Sequence, residues 1–369
     1  MCYTVAKRQY YAGFVRFVMG DAPNYHQDLN QKMTLKLREI MRDLPPYTTS
    51  FFIAMENNST ILTRVNYAAD LRIFFQFLVK ELPRFQNKAV SDLTQDDLKS
   101  ITVDDLYLFL DYLNLYASSD NDERFISNQE RGKARKVACL RSFFKHYYKK
   151  GVLEQNVCQL LDTPKLHEKA IIRLEADEVA DLLDVVESGA QLTEKQRQYH
   201  KKNAVRDLAI LTLFLTTGIR VSELVSLNVS DLDFKNGCFT VTRKGGNQVM
   251  LYFDDETAQA LNTYLDKRKD CGNYALSSPL FLSMQGKRMS VRSVELMVKK
   301  YARIVSPLKK ISPHKLRSTY GTMLYDETGD IYLVADVLGH KDVNTTRKHY
   351  AAMSENNRKR ASKAVKLRK

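Results

Sequence analysis

Tryptophan is absent from this chain, and glycine (14) and proline (8) are scarce for its 369 residues. So few turn-formers argue against a many-stranded sandwich or barrel and against long glycine-rich loops. Cysteine is thin as well. Cys2, Cys139, Cys158, Cys238 and Cys271 lie far apart, with no pair at metal-ligand or redox spacing. An odd number of dispersed cysteines excludes a disulfide framework and fits reduced thiols in the cytoplasm. Long apolar runs are also missing. The longest, Leu208 to Ile219, is interrupted by threonines and falls well short of the ~20 residues a membrane span needs. Lys7 and Arg8 are followed by no continuous apolar segment, so the start does not read as a signal peptide. No membrane partner is expected.

What the chain does have is positive charge. Lys and Arg number 57 against 43 Asp and Glu, a formal charge of +14. An excess this large, spread along the chain, marks a polyanion partner, although charge alone does not separate DNA from RNA or an acidic membrane. The length is too great for one typical core and suits two domains. Amphipathic runs rich in Leu, Lys, Ala and Glu predict a mainly α protein.

Residues 1–58 read as a helical lead-in, with Leu35, Leu37, Ile40, Met41 and Leu44 at helical spacing before Pro45-Pro46. Helix follows helix from Ser59 to about Lys150. Tyr67, Leu71, Phe74, Phe75 and Leu78 form one apolar stripe. A second helix is predicted to start at Thr102, with Asp105 at capping-box spacing. A third turns Val137, Leu140, Phe144 and Tyr147 inward and Arg131, Lys133, Arg135, Lys136, Arg141, Lys145 and Lys149 outward. Solvated faces usually mix signs, so a face of cations alone points to phosphate-backbone contact, with Arg131, Lys133, Arg135 and Lys145 as the DNA-binding candidates. Polar residues 162–174, with Pro164, break the periodicity and read as a linker. An amphipathic helix from Glu175 to Val186 then opens a second domain.

Four islands in this second domain are unusual. In the first, Thr216-Thr217-Gly218-Ile219-Arg220-Val221-Ser222-Glu223-Leu224, an apolar helix breaks at Gly218 and a new one starts after Arg220. A cation is mildly unfavourable at a helix start, which argues against a decorative role. In the second, two β-rich runs, 238–242 and 248–253, flank Arg243-Lys244-Gly245-Gly246-Asn247 and predict a hairpin with Lys244 at its tip. In the third, Ser312-Pro313-His314-Lys315-Leu316-Arg317, Ser312 suits an N-cap and Pro313 the first helical position. His314 and Arg317 then share the first turn, beside free backbone N–H groups that favour a phosphate. In the fourth, Gly339 ends a helix over 331–338 and puts His340 at its end. Lys341-Asp342-Val343-Asn344-Thr345-Thr346 and then Tyr350 follow.

Together the islands resemble the tyrosine recombinase (phage integrase) family, whose catalytic set runs Arg…Lys…His-x-x-Arg…Gly-His…Tyr. The resemblance covers residues 59 to about 352. His340 and Tyr350 are ten residues apart, one more than in Xer-type members, but Tyr350 is the only tyrosine after His340. The resemblance implies a helical, SAM-like core-binding domain over 59–161, a linker over 162–174, a mixed α/β catalytic domain over 175–352 and a basic tail over 353–369. That tail either packs on a neighbouring subunit or trails along DNA. Arg220, Lys244, His314, Arg317 and His340 become the phosphate-activating set and Tyr350 the nucleophile. Strands are cut and rejoined through a 3′-phosphotyrosyl link, without metal or other cofactor. The implied partners are duplex DNA, clamped between the two domains, and three further copies of the chain in a tetramer on two DNA sites. A related recombinase or an accessory DNA-bending protein is a further partner in keeping with the resemblance. Two alternatives use similar residues: a type IB topoisomerase, and a DNA-binding protein that has lost catalysis.

Overall fold

A computed structural model describes residues 25–118, 121–163, 165, 171–243, 246–270, 275, 278–340 and 342–343. They fall into two compact units, one within Pro23–Glu168 and one within Lys169–Lys369. The division lies in the polar stretch between the two helical regions. Both units are mainly helical, each with one small antiparallel sheet.

The first unit contains α1 (Tyr25–Arg42), α2 (Thr49–Ala54), α3 (Ile61–Glu81), α4 (Gln95–Lys99), α5 (Val103–Tyr112) and α6 (Glu130–Lys149). A strand pair, β1 (Tyr116–Ser118) and β2 (Asn121–Ile126), precedes α6. The composition of Asn121-Asp122-Glu123-Arg124 hid this pair, since such residues are poor strand formers. The capping box predicted at Thr102 is present. Thr102 Oγ1 accepts from the Asp105 N–H (3.3 Å) while the Asp105 carboxylate accepts from the Thr102 N–H (2.7 Å), closing the box that starts α5. The expected lead-in over 1–58 needs correction for its second half. Leu37, Ile40, Leu44, Phe51 and Phe52 are buried in one core with Phe74, Phe75, Phe109, Phe143 and Phe144. Phe51 meets Phe143 edge-on at 5.2 Å and Phe74 meets Phe109 at 5.1 Å. Burying each large apolar side chain contributes ~1.5–3 kcal/mol, so 37–54 belong to this core and do not lead into it. Leu35, placed on the same stripe by spacing, is exposed.

The second unit is built around α8 (Glu194–Thr217), which packs against α7 (Ala176–Ser188), α10 (Asp255–Asp270) and α12 (Pro313–Thr328). Residues 209–215 of α8 are buried all round, as an apolar helix inside a core must be. Short α9 (Val221–Ser226) follows it. The sheet has the order β3 (Leu232–Asp233), β4 (Cys238–Thr242), β5 (Gln248–Tyr252), with Thr242 opposite Gln248 at the turn. Helix α11 (Val291–Val305) precedes α12, and α13 (Ile331–Leu338) packs on α12 through Val334 and Leu338 against Tyr320, Leu324 and Tyr325. Among the described residues no helix is long and apolar enough to cross a membrane.

Candidate active site

Three chain breaks bring the candidate residues of the second unit together. At the first, α8 stops because Gly218 takes a left-handed conformation (φ 60°). A side chain there would also run into the Tyr320 ring and Leu338. Two residues later Arg220 is the N-cap of α9. Its expected penalty is offset locally, because Glu223 accepts from the Arg220 backbone N–H (3.0 Å) and from Nη1 (2.8 Å). Glu223 is buried, whereas the Arg220 side chain is 36% exposed.

The second break starts α12. Ser312 occupies the N-cap and Pro313 the first turn, but the Ser312 hydroxyl makes no capping bond; its carbonyl accepts from the N–H groups of Lys315 and Leu316. His314 is exposed on this first turn, and Arg317, three residues on, is buried. Shared spacing therefore yields opposite environments. Arg317 Nη1 donates to the Gly218 carbonyl and Nη2 to the Leu338 carbonyl, both in short contacts.

The third break ends α13. Gly339 is left-handed (φ 60°), and the Gly339 and His340 N–H groups bond back to Asp336 O (2.8 Å) and Ala335 O (2.9 Å). The outward carbonyls of this helix end attract cations. Arg220 Nη2 donates to Leu338 O (3.2 Å) and Gly339 O (3.1 Å). Arg243, at the end of β4, donates through Nη2 to Val337 O (2.9 Å). Three guanidinium groups thus meet three successive carbonyls, with Glu223 the buried carboxylate beside them. Planar donor groups held this way are set to receive a tetrahedral anion on their outward N–H groups. Of the predicted set, Arg220, Arg317 and the His340 turn come together and His314 lies on the turn carrying Arg317. Lys244 and Tyr350 lie outside the described residues.

Arg243 and Glu223 were not among the predicted site residues. Arg243 reads in sequence as an ordinary hairpin cation, and nothing in its spacing marks a partner in α13. Glu223 had one signal, its place three residues after an N-cap, where a carboxylate reaches back to the capping N–H.

In the first unit the all-cation face of α6 is only partly exposed. Lys136 is buried, 3.4 Å from Asp70 and 3.0 Å from Asn128 Oδ1. Arg135 Nη1 donates to Asp70 Oδ2 at 2.5 Å, Lys133 to Asn114 Oδ1 at 2.6 Å, and Arg141 to the carbonyls of Cys158 and Leu161. Burial pushes the Asp70 carboxyl up despite the opposing Lys136 and Arg135, and pushes Lys136 down despite Asp70. Lys136 and Arg141 are therefore internal ties, a correction to the outward face read from spacing: Asp70 of α3 supplies the carboxylate for Lys136. Arg131, Arg135 and Lys145 remain exposed.

The Phage integrase family model matches residues 172–357. The chain belongs to the phage integrase family. A tyrosine recombinase XerC of Caldanaerobacter subterraneus subsp. tengcongensis is 36% identical over 291 residues, covering 76% of this chain and 75% of that protein. Among solved structures, the XerH site-specific recombinase bound to palindromic difH substrate superposes with a TM-score of 0.61 at 20% identity, covering 83% of this chain and 81% of that one. A lambda integrase dimer bound to a COC′ core site gives 0.55 at 18% identity, covering 84% and 95%. These two likenesses show that this phage integrase family member has the tyrosine recombinase fold.

Proposed function

We propose that Tyr350 is the nucleophile of this site-specific DNA recombinase, served by Arg220, Lys244, His314, Arg317 and His340. As a tyrosine recombinase the protein cuts and rejoins DNA strands, and the bond energy of the backbone must be kept in a covalent intermediate. The observation that carries the residue assignment is the convergence of Arg220 and Arg317 on the Leu338 carbonyl, one residue before Gly339-His340.

In the reaction the Tyr350 phenol oxygen attacks the scissile phosphorus as the bond to the 5′ oxygen breaks. A 3′-phosphotyrosyl link and a free 5′-hydroxyl result. Phenol, with a pKa of about 10, leaves more readily than an alkoxide when the 5′-hydroxyl attacks in reverse. Arg220 and Arg317 stabilise charge growing on the non-bridging oxygens, which lysine cannot match with a planar fork. Lys244 gives its proton to the departing 5′ oxygen, His314 moves the phenol proton, and His340 adds a phosphate donor. Duplex DNA is the partner, supported by DNA-bound structures of the same fold. The working assembly is a tetramer on two sites, in the cytoplasm, with a related recombinase or DNA-bending protein as an auxiliary. Residues 59–161 are assigned to core binding and 175–352 to catalysis.

The deciding experiment uses a nicked suicide duplex. Wild type should form a stable adduct mapping to the Tyr350 peptide, and Tyr350→Phe should form none while binding the same duplex within a few-fold of wild type. An adduct with the mutant would overturn the assignment.

A further inference from the structure

The base of the hairpin that carries Lys244 is held by β3, which pairs with β4, and by buried Phe239, Val241 and Leu251, whereas its turn reaches another element at one point among the described residues. Within the turn, Arg243 N–H donates to Asn247 O (2.8 Å) and Gly246 N–H to Arg243 O (3.0 Å). These bonds close the turn on itself and do not tie it to any other element. On the β5 side, Met250 and Tyr252 are exposed. The tie comes from the Arg243 side chain, which reaches α13 and donates to Val337 O at 2.9 Å. Its guanidinium lies against Gly339, where any Cβ would overlap it. Glycine at this position therefore answers two needs, the left-handed φ and room for an arginine. Arg243 Nε is buried without an acceptor among the described residues, so packing and charge, together with one strong bond, hold the group. Burial lowers its pKa, Glu223 opposes that, Arg220 adds to it and Asp336 opposes it. The guanidinium thus shares the carbonyl end of α13 with Arg220.

We infer that Arg243 is a positioning residue for strand cleavage: by docking the β4–β5 hairpin on the end of α13 it holds Lys244 where it can protonate the departing 5′ oxygen. This rests on the assignment of Lys244 as general acid. Removing Arg243 loosens the hairpin rather than α13, because Arg220 and Arg317 still hold Leu338 O and the Gly339 and His340 N–H groups still close the helix end. The step affected is proton delivery. As the P–O5′ bond breaks, the oxygen takes its pair of electrons and a proton from the lysine ammonium; a sulfur in that position departs as thiolate and needs none.

The test compares single-turnover cleavage of a normal duplex and a 5′-bridging phosphorothiolate duplex by wild type, Lys244→Ala, Arg243→Met and Arg243→Lys. Lys244→Ala should be slowed on the order of 10²-fold or more on oxygen, the range for a lost general acid, and be close to wild type on sulfur. Arg243→Met should follow the same pattern with a smaller loss, about tenfold on oxygen, and should be restored on sulfur. Arg243→Lys should recover part of the oxygen rate, since an ammonium can still reach Val337 O. If Lys244→Ala is restored by sulfur while Arg243→Met is equally slow on both duplexes, the lysine assignment stands and the positioning role is overturned. If Lys244→Ala is itself equally slow on both, the lysine assignment fails and the purpose given to Arg243 goes with it. Melting curves of the Arg243 variants within a few degrees of wild type keep a folding loss from imitating either result.

Discussion

Arg220 and Arg317, far apart in the sequence, share one acceptor, the carbonyl of Leu338; Arg220 Nη2 reaches it at 3.2 Å and Arg317 Nη2 in a shorter contact. The shared oxygen does for the two cations what a carboxylate would do elsewhere, but without cancelling their charge. Glu223 neutralises part of the Arg220 charge. The pair is held in a fixed orientation, and fixed donors are what a phosphate gaining charge in the transition state requires.

Arg220→Lys and Arg317→Lys should each lower single-turnover cleavage on the order of 10²-fold or more, about 3 kcal/mol of barrier, with duplex affinity changed far less. Lysine has charge but no fork, so it cannot hold Leu338 O and meet phosphate oxygens together. Arg317→Lys should also lower the melting temperature, because the Gly218 and Leu338 carbonyls lose a buried donor. Cleavage rates, affinity and melting on the same preparations separate the two effects. A lysine variant that cleaves at the wild-type rate would remove its arginine from the transition-state assignment.

Much of this site was legible in sequence for a physical reason. Gly218 and Gly339 end helices by adopting a conformation other residues resist, and Pro313 starts one, so the breaks that position Arg220, Arg317 and His340 are written in single letters. Capping at Thr102 and Asp105 was legible on the same grounds. Partners distant in the chain were not legible. The spacing of α6 put Lys136 outward with Arg135, because nothing in the sequence shows that Asp70 of α3 waits there. Likewise Arg243 differs from any turn arginine only through Val337, a backbone carbonyl that carries no sequence signal. Leu35 fits the α1 stripe by period and is exposed, since a stripe wider than its neighbouring surface leaves its edge in water.

Acid should unfold the first unit partly through Asp105. Burial alone would raise this carboxyl, but hydrogen bonds from Arg84 and from the Thr102 N–H and hydroxyl outweigh it and hold the pKa below the usual carboxylate range. A folded pKa below the unfolded one means stability that is complete above the unfolded value, about 4, and is lost as pH falls through the lower folded value. Asp105→Asn should therefore cost about 1 kcal/mol or somewhat more at pH 7, the range for a lost helix cap, and the gap from wild type should shrink as pH falls below the unfolded value. Denaturant midpoints at several pH values give the gap directly. A difference that stays constant down to acid pH would mean that the carboxylate charge contributes nothing.

Salt dependence of binding should divide the cations of α6 into two groups. Arg131 and Lys145 are exposed and have no carboxylate partner among the described residues, which leaves them placed to meet phosphates. Each lost phosphate contact should reduce the slope of log affinity against log salt by about 0.9, and the double variant Arg131→Ala/Lys145→Ala by about twice that, on any duplex sequence. Lys136→Met should behave in the opposite way. Its ammonium is buried against Asp70, and removing one member of a buried ionic cluster leaves the carboxylate less compensated, so melting temperature should fall while the salt slope stays near wild type. Arg135→Ala should show both effects, since Arg135 is exposed yet bound to Asp70 at 2.5 Å. Affinity is measured from low to moderate salt, beside thermal melting, for all three variants and wild type. An unchanged slope for the Arg131/Lys145 double variant would place that face in solvent and remove α6 from the DNA interface, whatever happened to the stability of the Lys136 variant.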